Sequence, residues 1–211
     1  MRKPLEESAV YSVLSLIIDV IFAGMLWLLV SLPLITIGPA SAALYYAMAK
    51  TVRRGRGRLG ATFFSAFKSN FKQGTLLWLL YIAYCIIGLV DLYAIKLMGV
   101  PDGSVMDYLS KLFFVPAIAT LPWVFAFISR FENNIAGTLK FVGYLTLKHF
   151  GRTLLLVGLL LLCVLIAWML PPIVWLLPSV CCLAMTYLIE PVFRKFTEQP
   201  EDSKTDQWYN E

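Results

Sequence analysis

Charge is what this sequence has least of. Of its 211 residues only 15% are Asp, Glu, Lys or Arg, whereas 59% are hydrophobic. Soluble domains carry about 25% charged residues. So little charge cannot cover so much apolar side chain in water, which excludes an ordinary soluble domain, a disordered chain and a collagen-like fibre. Histidine is rarer still: His149, in the stretch LKHFGR, is the single one. One imidazole cannot build a histidine metal cluster, and a solvated interfacial role is expected for it. The four cysteines, Cys85, Cys163, Cys181 and Cys182, all fall in apolar runs. Their spacing fits neither a zinc site nor a CxxC redox motif, and they read as small apolar packing residues. GxxxxGK[ST], GxGxxG, GxSxG and HExxH are also missing, so no enzymatic module, cofactor or metal is expected. No small-residue cleavage site closes the first apolar segment, which is expected to remain in the mature chain.

Long apolar runs are what the sequence has instead. Thr153 to Ile189 is 37 residues without Asp, Glu, Lys or Arg. One straight helix of that length would measure about 55 Å, against a hydrocarbon layer of about 30 Å. The run must fold back, and Pro171-Pro172 marks the turn between a span at 153–170 and another at 173–193. Val20 to Ala49 is a second uncharged run of 30 residues, interrupted by Pro33 and Pro39. It predicts a span over 10–32, a turn at PLITIG, and a shorter helix over 39–52. Gly74 to Val90, continuing to Leu97, and Leu112 to Ser129 supply two more spans, joined by the polar stretch GVPDGSVMD. The expected fold is an all-α integral membrane protein over 1–196, with six transmembrane helices in three proline-punctuated hairpins. A polar cytoplasmic tail follows over 197–211. Five spans, with 39–52 interfacial, is the alternative.

The basic residues orient this arrangement. With six spans and both termini in the cytoplasm, only Lys96 and Lys111 of the 18 basic residues lie outside, leaving 16 inside. That is a strong positive-inside signal. The five-span alternative puts the amino terminus outside and splits them 14 to 4.

Each hairpin carries two prolines six apart: Pro33/Pro39, Pro116/Pro122 and Pro172/Pro178. Basic, aromatic lead-ins precede the second and third hairpins. In the first, Phe63, Phe64, Phe67 and Phe71 fall on one helical stripe with Lys68 and Lys72 nearby. This pattern predicts an interfacial elbow helix lying among the lipid headgroups. The second lead-in, LKFVGYLTLKHFGRTLLL, is less cleanly amphipathic. Together they suggest a weak three-fold repeat of elbow plus hairpin.

Few residues could carry chemistry. Asp19 lies inside the first span, with Ser12 and Ser15 spaced to share its helix face. A carboxylate at membrane depth must face the bundle interior, as a coupling or substrate site or as a structural hydrogen bond between helices. Asp91, near the outer end of the third span, has Lys96 five residues on and reads as an interfacial ion pair. Glu190 and Arg194 are four apart at the inner end of the last span and read as a local salt bridge, with Pro191 between them bending the helix. Arg53, Arg54, Arg56 and Arg58 form the compact loop RRGRGR. It is read as topogenic first, as an attractor of anionic lipid second, and not as a nucleic-acid site, because it is short and lies at the membrane face. Trp168 and Trp175 flank the Pro171-Pro172 turn as interface markers, whereas Trp27 and Trp78 read as packing residues.

SLPLITIGPASAALYYAMAK (Ser31 to Lys50) resembles the signature of the YesL-like bacterial membrane proteins, the family termed domain of unknown function 624. FFSAFKSNFKQ (Phe63 to Gln73) and the RFE at Arg130 to Glu132 fit the same pattern. The resemblance implies a bacterial plasma-membrane protein of a family whose members tend to be encoded beside carbohydrate importers of the ATP-binding-cassette (ABC) type and beside polysaccharide-degrading enzymes. It implies no catalytic residues. The chain lacks the EAA-type coupling loop of an importer permease. The expected function is therefore an accessory membrane subunit of carbohydrate uptake, surrounded by membrane lipids and packed against permease subunits. An independent small transporter or channel using Asp19 is the alternative.

Overall fold

The computed structural model describes residues 5–131 and 133–197, and every regular element within them is helical. The amino-terminal basic pair, Glu132 and the polar tail lie outside the described residues. Helix α1 spans Leu5–Ser31 and α2 spans Ile37–Ala47. A π-helical turn, Met48–Val52, extends α2 toward the arginine loop. Then follow α3 (Leu59–Leu97), α4 (Val105–Leu112), α5 (Val115–Ile128), α6 (Ile135–Lys148), α7 (Phe150–Met169) and α8 (Leu177–Thr197). Five stretches are long and apolar enough to cross a membrane: Val13–Ser31, Leu59–Leu97, Val105–Ile128, Phe150–Met169 and Leu177–Arg194. The chain is thus a multi-pass helical protein of membrane type. The predicted sixth segment exists as α2 and its π turn, but it is shorter than the other five.

Its surroundings explain how so short a helix persists. α2 touches α1, α3, α5 and α8, and eight of its eleven residues are buried. Helices associate in hydrocarbon by close packing rather than by hydrophobic drive, and small residues permit that approach. Gly38 is one of them: a Cβ there would collide with the Gly74 carbonyl of α3. A Cβ on Gly74 would in turn strike Pro39 at 2.8 Å. The turn before α2 is closed by Thr36, whose hydroxyl donates to the carbonyls of Val30 and Pro33 at 2.5 and 2.6 Å. Trp78 Nε1 donates to the Leu34 carbonyl at 2.7 Å and ties the same turn to α3. The conspicuous stretch TIGPASAA is therefore a turn clasp followed by a small-residue helix face.

Helix α3 corrects one expectation. The phenylalanine lead-in is not a separate elbow; it is the first part of a continuous 39-residue helix, about 58 Å long. No proline interrupts Leu59–Leu97, so nothing breaks the hydrogen-bond ladder. Phe63 is buried in a cluster with Val20, Ala23 and Met48, whereas Phe64 and Phe71 remain exposed. The second lead-in does form a separate helix, α6, which ends where His149 leaves helical geometry at φ −111°, ψ 44°. Thr153 stabilises that break. Its hydroxyl donates to the Thr146 carbonyl at 3.0 Å and accepts from Trp123 Nε1 at 3.1 Å.

The three proline pairs also differ. Pro33/Pro39 and Pro172/Pro178 bracket turns, but Pro116 and Pro122 both lie within α5. The middle turn is instead made by Gly99 and Gly103, with φ of 72° and 83°, followed by α4. Ser104 caps α4 by accepting from Asp107 N–H at 3.3 Å, and Lys111 donates to Asp107 at 2.7 Å.

Candidate functional site

The charged centre of the bundle is Glu190. Its side chain is 1% exposed, in α8 immediately before Pro191. Arg130, just past the end of α5, donates to Glu190 Oε2 with a guanidinium that is 2% exposed. Arg54 donates to the same oxygen at 3.4 Å, and Tyr45 of α2 donates to Oε1 at 3.2 Å. The carboxylate thus joins α8, α5, α2 and the arginine loop. Burial lowers the Arg54 pKa, an effect the adjacent Glu190 carboxylate opposes. Arg53 completes the junction: it donates to the Thr186 carbonyl at 2.6 Å, and its guanidinium lies 4.7 Å from the centre of the Tyr187 ring.

The arginine loop divides in function. Gly55 and Gly57 take φ of 65° and 85°, a left-handed backbone that glycine adopts without steric cost. Through this turn Arg53 and Arg54 point inward, whereas Arg56 and Arg58 are exposed. Lys68 and Lys72 are exposed along α3.

Several sequence expectations change here. The predicted Glu190–Arg194 pair is replaced by Glu190 with Arg130 and Arg54, because Glu190 turns into the bundle and Arg194 is exposed. The Asp91–Lys96 pair is absent among the described residues; both side chains are exposed on α3. Asp19 is half-buried and Ser15 exposed, and no hydrogen bond of either is found among the described residues. Trp27 Nε1 donates to Ser41 at 3.2 Å and sets the register of the α1–α2 pair. The Ser12 side chain lies outside the described residues. His149 is half-buried and stacked at 6.4 Å on Trp123.

Tyr45 has a second role. It lines a cavity of about 340 Å³ bounded by residues of α1, α2, α3, α5, α7 and α8. Trp27, Ser41, Trp78 and the cysteines Cys163, Cys181 and Cys182 share the wall. No charged side chain lines it, and Asp19 is not part of it. The described residues hold no group of three His, Cys, Asp or Glu side chains placed for a metal ion. Sequence reasoning missed this convergence because Arg130, Tyr45 and Glu190 are far apart along the chain. The one readable signal was an acid beside a proline inside an apolar helix.

Residues 20–92 match the family described as "Protein of unknown function, DUF624". The matched stretch covers the second part of α1, all of α2 and most of α3, and so contains the Thr36 clasp and the Gly38–Gly74 contact. No curated protein matches the chain, and no solved structure does.

Proposed function

We propose, with the DUF624 match over residues 20–92 as premise, that this protein is an accessory integral membrane subunit of a carbohydrate importer of the ABC type. In this reading it is neither permease nor ATPase and carries out no catalysis. The observation that supports this over an independent transporter is the cavity wall. A solute path for sugars needs hydrogen-bonding groups, because a buried polar ligand without partners is costly. Here the hydroxyls of the wall, Ser41 and Tyr45, are engaged with Ile37 and Glu190. Asp19, the residue that motivated a transport role, is outside the cavity. The outward faces of α1, α3 and α7 are rich in exposed Leu, Ile and Val, which suits contact with lipid and with permease helices.

The proposed setting is the bacterial plasma membrane with both termini cytoplasmic and α2 as a sixth, partial span. A cysteine at position 3 (Lys3→Cys), probed on intact cells with a membrane-impermeant thiol reagent, tests the topology. No labelling is expected; labelling would favour five spans. Affinity purification of a tagged copy in mild detergent, from cells grown on a polysaccharide that induces it, tests the assembly. Co-recovery of permease subunits is expected, and recovery of a lone chain would count against the proposal.

A further inference from the structure

We propose that the cavity between α2, α5, α7 and α8 is a binding site for one acyl chain of a membrane phospholipid. The volume, about 340 Å³, is in the range of ligand sites rather than of packing defects. Water is a poor occupant, since a buried water needs two to four polar partners. The hydroxyl and indole donors of the wall are already engaged. Ser41 Oγ donates to the Ile37 carbonyl at 2.7 Å and accepts from Trp27 Nε1, Trp78 Nε1 donates to Leu34, and Tyr45 donates to Glu190. What remains facing the void is hydrocarbon, aromatic ring and thiol. The wall therefore favours a ligand segment without hydrogen-bonding groups.

The opening identifies the source. Val164 of α7 and Val174 of the turn after it line the cavity and are 66% and 43% exposed. Val164 lies inside a membrane-length apolar helix, Phe150–Met169. The void therefore communicates with the bilayer interior, where acyl chains are the abundant apolar species. At its inner wall the chain would lie against Tyr45, whose hydroxyl holds Glu190. Occupancy of the cavity and order in the charged junction are then linked through one side chain.

The test uses the full-length protein in vesicles of phosphatidylethanolamine and phosphatidylglycerol carrying a diazirine in mid-acyl chain. Irradiation and peptide mapping locate the adducts. Adducts are expected on interior wall residues that bulk lipid cannot touch, such as Leu44, Tyr45 and Ala126, each at most 2% exposed. They should accompany adducts on outward residues such as Leu154 and Leu161. Ala126→Phe, which fills the void, should abolish the interior adducts and leave the outward ones. Ala167→Leu, on the wall formed by α7, is the second variant should the first not fold. A phospholipid bearing the diazirine on its headgroup should label no interior residue. Adducts confined to outward residues in the wild type, interior adducts that persist in a folded, filled variant, or interior labelling by the headgroup probe would each overturn the proposal.

Discussion

Asp19 in α1 and Glu190 in α8 are both acids set in apolar helices, and the sequence around them invites the same reading. The structure separates them. Glu190 is 1% exposed and receives hydrogen bonds from Arg130, Arg54 and Tyr45. Asp19 is half-buried and contributes no hydrogen bond among the described residues. The difference is one of partners rather than of position within a helix. A buried carboxylate persists where guanidinium and hydroxyl groups arrive from other elements, and those groups replace the water it has lost.

Substitutions widen or close this gap. The largest effect is expected from Glu190→Ala, which strips the carboxylate from two guanidiniums and should cost about 3–5 kcal/mol. Unfolding in detergent, followed with a dye that fluoresces on reacting with thiols, reads this directly, because Cys181 is buried in the native state. Glu190→Gln keeps the shape and part of the hydrogen bonding and should lose less. A Glu190→Gln variant as stable as the wild type would mean that charge is not what the junction requires, whereas a loss equal to that of Glu190→Ala would assign the whole effect to charge.

Thr153→Val comes next. It leaves Trp123 Nε1 and the Thr146 carbonyl without their shared partner, at about 1–3 kcal/mol. A neutral result would show that the α6–α7 break does not depend on this hydroxyl. Arg194→Ala should fall within about 0.5 kcal/mol of the wild type, as exposed substitutions do. A loss as large as that of Glu190→Ala would restore the local pair. Asp19→Asn should change stability least, again within about 0.5 kcal/mol. Reconstituted vesicles containing Asp19→Asn should have the same solute permeability as those with the wild type, and a loss of flux in that variant would return Asp19 to a transport role.

The two aromatic lead-ins teach the same lesson at the level of elements. Both are basic, both carry aromatic rings, and both precede a span. The first continues through Leu59–Leu97 without interruption, whereas the second breaks at His149. Nothing local forces that break: LKHFGRT contains no proline. It is held by the Trp123–Thr153–Thr146 chain of hydrogen bonds, whose first member comes from α5. The proline spacing misled in a related way, since a proline near a helix start and one within a helix look alike in sequence while α5 accommodates Pro122 internally.

Composition and charge-free run lengths were enough to establish an all-helical chain of membrane type and to place the turns at PLITIG and Pro171-Pro172. Those features depend on transfer of side chains to hydrocarbon and on local backbone chemistry, both properties of consecutive residues. The TIGP stretch and its family likeness were equally visible, although the reason for Gly38 emerged only with Gly74 against it. The partners of Glu190, the inward turn of Arg53 and Arg54, the unbroken α3 and the cavity beside Tyr45 were decided by tertiary structure. Each depends on groups far apart in the chain meeting at distances of a few ångströms, and helical periodicity carries no record of which helices become neighbours.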